Sequence, residues 1–185
     1  MKKVLFIMLL FGFGVNSNAQ EFKGNISGTI GLINFKTRIQ YEIPIGDNLS
    51  TGANLNYYFV NWTGPLLEPF FRIYGKKHGN TEGWFLQGKL GYGNLKNLDD
   101  YFISGATKSA RFSTFGGGVA VGNKIFLSDK ITLEPIIGLR IYTAPSINQD
   151  IYDSYAAAEA LGEDIGWALT TGLPLDLQVK VGYQF

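Results

Sequence analysis

The chain has no cysteine and one histidine among its 185 residues. The first absence excludes disulfides, thiolate nucleophiles and cysteine-bound metals. The second leaves His78 as the sole imidazole, and no group of side chains has the spacing of zinc ligands. Charge is also scarce, at 17% of residues with a net +1, which removes the electrostatic case for binding nucleic acid. Beyond the first nineteen residues there is no run of eighteen apolar positions, so no transmembrane helix is expected. What the chain does have is glycine (24), phenylalanine (14) and tyrosine (10).

The amino terminus has the layout of an export signal. Lys2 and Lys3 form a basic start, Val4 to Gly14 are mostly apolar, and Ser17-Asn18-Ala19 puts small residues where a signal peptidase cuts. Residues 1–19 are therefore expected to be a cleaved signal peptide, and residues 20–185 one domain. Losing the two lysines lowers the net charge by two, from +1 to −1.

The rest of the chain alternates. A strand points successive side chains to opposite faces, and eight segments show the pattern: Asn25–Ile33, Lys36–Ile45, Thr51–Val60, Leu66–Tyr74, Gly83–Leu95, Arg111–Leu127, Ile131–Tyr142 and Leu173–Phe185. The last is the cleanest, with Leu173, Leu175, Leu177, Val179, Val181, Tyr183 and Phe185 on one face and Asp176, Gln178, Lys180, Gly182 and Gln184 on the other. Gly46-Asp47-Asn48, Lys76 to Asn80 and Ser128-Asp129-Lys130 read as turns, and Asn61 to Pro65 as a break. Most segments are about ten residues long, the length a tilted strand needs to cross a bilayer.

These features predict an all-β chain: an eight-stranded antiparallel up-and-down transmembrane β-barrel. With both termini periplasmic, the three short turns fall on the periplasmic side and the two longest connections outside, the asymmetry expected of such barrels. A soluble barrel of this size would turn its apolar face inward behind a densely charged exterior. Here the apolar faces hold large residues while the opposite faces are rich in glycine. Phe59, Trp62, Trp84, Tyr142, Tyr183 and Phe185 lie near predicted strand ends and are expected to form interfacial girdles.

Asn18-Ala19 before Gln20, the eight alternating strands and the terminal Gly182-Tyr183-Gln184-Phe185 resemble the small outer-membrane β-barrel proteins of Gram-negative bacteria, in size the OmpX and OmpA-transmembrane-domain class. Tyr41-Glu42, Glu68-Pro69-Phe70-Phe71-Arg72-Ile73-Tyr74 and the final Gly-Tyr-x-Phe are also similar to an uncharacterised barrel family. The resemblance implies residence in the outer membrane, contact with its lipid and lipopolysaccharide, and a terminal strand read through Tyr183 and Phe185 by the barrel-assembly machinery. It implies no cofactor.

On the inward faces the alternation puts Arg38, Glu42, Glu68, Arg72, Lys89, Glu134, Arg140, Asp176 and Lys180, five bases and four acids. Eight strands enclose a space that side chains just fill, so these charges are expected to pair and plug the lumen. Catalytic motifs are absent. Gly83 to Leu90 nearly spells a P-loop but has Leu90 where a metal-binding hydroxyl belongs, and Gly116-Gly117-Gly118 lacks a following helix. His78 is expected in a periplasmic turn, the wrong end for a Ser-His pair acting at the outer leaflet.

The remaining candidate is the outer connection 144–172, where Asp150, Asp153, Glu159, Glu163 and Asp164 occur without lysine or arginine and Ser154–Leu161 reads as a short helix. Those carboxylates are the weak candidates for a divalent cation, and the connection for an extracellular ligand. The sequence thus favours a non-enzymatic barrel with a charge-filled lumen, serving envelope integrity, adhesion or ligand contact. A narrow channel is the alternative, and a lipid-modifying enzyme a disfavoured third.

Overall fold

Alternation becomes eight strands in the computed structural model: β1 (Asn25–Gly31), β2 (Lys36–Pro44), β3 (Leu49–Val60), β4 (Trp62–Tyr74), β5 (Gly83–Asn97), β6 (Arg111–Phe126), β7 (Ile131–Tyr142) and β8 (Leu175–Gln184). The structure describes residues 24–31, 36–60, 62–75, 81–97, 111–143 and 174–185. Each strand pairs antiparallel with the next, and β1 closes on β8 from Asn25↔Gln184 to Gly28↔Val181. Closure leaves no open strand edge, so every strand has a partner on both sides.

The end of the barrel at Gly24 and Phe185 is tied by two described turns and by bonds between neighbouring strands. Ile45 donates to the Leu49 carbonyl at 2.9 Å, Leu127 to Ile131 at 2.8 Å, Gln184 to Lys130 at 2.8 Å and Phe185 to Gly24 at 3.0 Å. The Phe185 ring stacks on Tyr41 with centroids 6.5 Å apart. His78, in the 76–80 connection, and the 144–173 connection lie outside the described residues.

The outer surface is apolar along every strand. Ile39, Leu67, Leu90, Val119, Leu139 and Val179 are each at least half exposed, and between them sit Tyr57, Phe71 and Tyr92. A monomer in water does not leave so continuous an apolar surface uncovered. Alternation along the same strands buries the polar residues, the reverse of a soluble barrel.

Three sequence expectations are corrected. Asn61 to Pro65 is not a break: β4 already runs from Trp62, which pairs with Val60 across a single intervening residue. Gly64 allows this with φ 144°, and a Cβ there would strike the β5 backbone at Asn94. The fifth segment does not stop at Leu95: Lys96 and Asn97 continue β5, opposite Thr63 and Trp62. Trp62 and Tyr142 do not join an outer girdle. They are 4% and 7% exposed and face inward, because they share strand parity with Leu66 and Arg140. Phe59, Trp84, Tyr183 and Phe185 do face outward.

Three strand prolines stand on the outer face, and each removes one ladder donor. Pro65, Pro69 and Pro135 are exposed, and the β4–β5 and β6–β7 ladders omit pairs beside them without losing register.

Candidate functional site

Inside the barrel, two apolar groups cap a charged middle. Tyr58, Trp62, Leu66, Leu95 and Tyr142 pack at the end away from the termini, with Phe112 edge-on to Trp62 at 5.1 Å. Tyr74, Phe85, Ala120 and Ile136 pack toward the terminal end. Inward glycines make the space for the rings. A Cβ at Gly52 would come within 2.7 Å of Phe70, one at Gly116 within 2.7 Å of Tyr142, and one at Gly122 would overlap Phe85.

Between these caps lie all nine charged residues that the sequence places inward, each no more than 5% exposed. Seven of them separate into two clusters, each organised on one glutamate. Glu42 accepts from Arg72 at 2.7 Å, Lys124 at 3.0 Å, the Tyr74 hydroxyl at 2.6 Å and Ser50 at 2.5 Å. Glu68 accepts from Arg38 at 2.9 Å, Lys89 at 2.9 Å, the Tyr142 hydroxyl at 2.6 Å and Asn56 at 2.8 Å. Each carboxylate therefore has an arginine, a lysine, a phenol and a short polar side chain, which offset the cost of burying its charge.

The second acids differ. Glu134 is shared by both cations of its cluster, Arg72 at 3.1 Å and Lys124 at 3.6 Å. Among the described residues Asp176 has one ion pair, with Lys89 at 2.6 Å. Arg72 is further held by Gln87 on Nε at 2.8 Å and Gln40 on Nη2 at 3.2 Å, and its guanidinium lies 4.1 Å from the Phe85 ring centre and 4.9 Å from that of Phe70. Toward the far end Tyr58 accepts from Arg140 at 3.1 Å and from Lys36 at 3.4 Å.

Two buried lysines went unread in the sequence. Lys36 and Lys124 are 2% and 1% exposed, so the described lumen holds seven cations against four carboxylates. Lys124 was legible from parity, since it continues the inward row Gly118, Ala120, Gly122 of β6. Lys36 opens β2 on the face of Arg38.

The contacts span the barrel. Strands β2 and β6 stand on opposite walls of an eight-stranded ring, and the Glu42–Lys124 pair joins them across its axis. Lys89 reaches Asp176 from β5 to β8, and Arg72 reaches Glu134 from β4 to β7. Ion pairs that cross the interior inside an apolar wall are suited to holding a barrel rigid. No group of three or more potential metal ligands occurs among the described residues. The five acids Asp150, Asp153, Glu159, Glu163 and Asp164 lie outside the described residues.

No protein-family model matches the sequence, and no curated protein matches it either. Among solved structures, the crystal structure of the N-terminal β-barrel domain of Pseudomonas aeruginosa OprF is similar over 89% of this chain and 96% of that one, with a TM-score of 0.58 and 10% sequence identity. This is the fold of an outer-membrane barrel. At that identity the likeness extends to backbone architecture and no further. The lumen of this barrel is therefore read from its own residues.

Proposed function

We propose that the chain is a non-enzymatic outer-membrane barrel whose lumen is sealed by its own side chains, and which works through its surfaces, as an envelope scaffold presenting outer loops. The observation that carries this is the Glu42–Lys124 pair joining opposite walls at 3.0 Å, flanked by apolar caps at both ends. The apolar belt supports membrane residence, and residues 1–19 supply the export signal. Tyr183 and Phe185, both about half exposed at the terminal end, are proposed as the contact for the assembly machinery. Lipid and lipopolysaccharide cover the belt. The acidic 144–172 connection is proposed to make the extracellular contacts of the protein. Its five carboxylates attract cationic ligands.

A deletion strain tests the reading. It should lose outer-membrane integrity, seen as sensitivity to detergent and large antibiotics, while its lipid A profile stays unchanged. Plasmid copies lacking residues 144–172 should restore integrity but not surface adhesion. An altered lipid A profile would instead identify an enzyme. The detergent-extracted protein should also migrate differently before and after boiling, as a closed barrel does.

A further inference from the structure

Lys180 is fully buried yet takes part in none of the ion pairs of the described residues. Its ammonium donates to the Gln40 amide oxygen, which also accepts from Arg72 Nη2 at 3.2 Å, so one neutral oxygen is shared by two cations. Glu134 pairs with Lys180 in the β7–β8 ladder, but its ion pairs are with Arg72 at 3.1 Å and Lys124 at 3.6 Å, and its Oε1 accepts no hydrogen bond. This half of the lumen thus has three cations, Arg72, Lys124 and Lys180, for two carboxylates, Glu42 and Glu134. An uncompensated buried charge is among the costliest features a protein interior can carry.

Unused hydrogen-bonding groups occur on Gln40 and on its neighbours in the β2–β3 ladder. Gln40 Nε2 has no partner, and neither has Nη1 of Arg38, two residues earlier on the same face of β2. Asn54, the ladder partner of Gln40 on β3, is 0% exposed and uses neither its amide nitrogen nor its amide oxygen. Three orphaned donors beside an unpaired ammonium have the chemistry of an anion site.

We propose that the lumen holds one monatomic anion, a halide, between Lys180, Gln40, Asn54 and Arg38. An anion there would offset an ammonium that water alone leaves uncompensated. The enclosure, with Lys180, Gln40 and Asn54 all at 0% exposure, suits a single-atom ion over a carboxylate or phosphate.

The test is crystallographic and thermodynamic together. Full-length barrel crystallised in sodium bromide should show one anomalous peak at the bromine edge, within hydrogen-bonding distance of Lys180 Nζ. Its urea unfolding midpoint in detergent should be higher in sodium chloride than in sodium gluconate of equal ionic strength. Lys180→Gln should abolish both effects. Asn54→Asp, which builds a carboxylate into the site and leaves Lys180 in place, should abolish them too, and covers the case in which Lys180→Gln does not fold. The proposal is overturned by any of three results: water alone at that position, coincident midpoints in the two salts, or a halide dependence that survives in either variant.

Discussion

The two glutamate clusters have nearly the same parts and different wiring. Around Glu42 the charges form a closed ring, because Arg72 and Lys124 each touch both Glu42 and Glu134. Around Glu68 they form an open chain, Arg38 to Glu68 to Lys89 to Asp176, in which the last acid pairs, among the described residues, with one lysine. Removing a member of a ring leaves every acid with a cation. Removing the middle of a chain strands one. The energetic weight of a buried charge therefore follows from its place in the network more than from its own contacts.

The largest effect is expected from the chain. Lys89→Met strips Asp176 of its one ion pair among the described residues and should destabilise the detergent-folded barrel by about 3–5 kcal/mol in urea titration. Adding Asp176→Leu to that variant should recover most of the loss, since replacing both members of a buried pair with apolar groups is close to neutral. Lys124→Met, the matching change in the ring, should cost less, about 1.5–3 kcal/mol, because Arg72 still serves both acids. If the two lysine variants are equal, or if Lys124→Met is the worse, ring and chain are the wrong description.

The smallest effects come from what the clusters share. Tyr74→Phe and Tyr142→Phe each delete one phenol donor to a glutamate, at 2.6 Å in both cases. Each should cost about 1.5 kcal/mol. The double variant should be additive within about 0.5 kcal/mol, because the two clusters have no hydrogen-bonding partner in common. Glu68 and Arg72, four residues apart on β4, are separated by about 13 Å of strand.

Much of the architecture was legible because a strand has only two faces. Once Leu175, Leu177, Val179 and Val181 are set outward, Asp176 and Lys180 have nowhere else to point, and the same reasoning fixes all nine inward charges. Local chemistry misleads where it runs against parity. Gly64-Pro65 resembles a loop, yet Trp62 and Leu66 are on the same face of one continuous strand. Trp62 and Tyr142 resemble girdle residues, yet both even-numbered positions turn inward. Lys36 and Lys124 lay near strand ends, where alternation is hardest to anchor. Ring and chain were not legible at all, since they depend on contacts such as Lys89–Asp176, whose residues are 87 positions apart and meet only once the barrel closes.

A sealed lumen is the central claim, and single-channel recording of the purified, refolded protein in a planar bilayer tests it most directly. The account predicts a flat baseline at moderate voltage, with current appearing only when the wall-to-wall pair is broken, as in Lys124→Met. Steady, porin-sized conductance from the unaltered protein would contradict it.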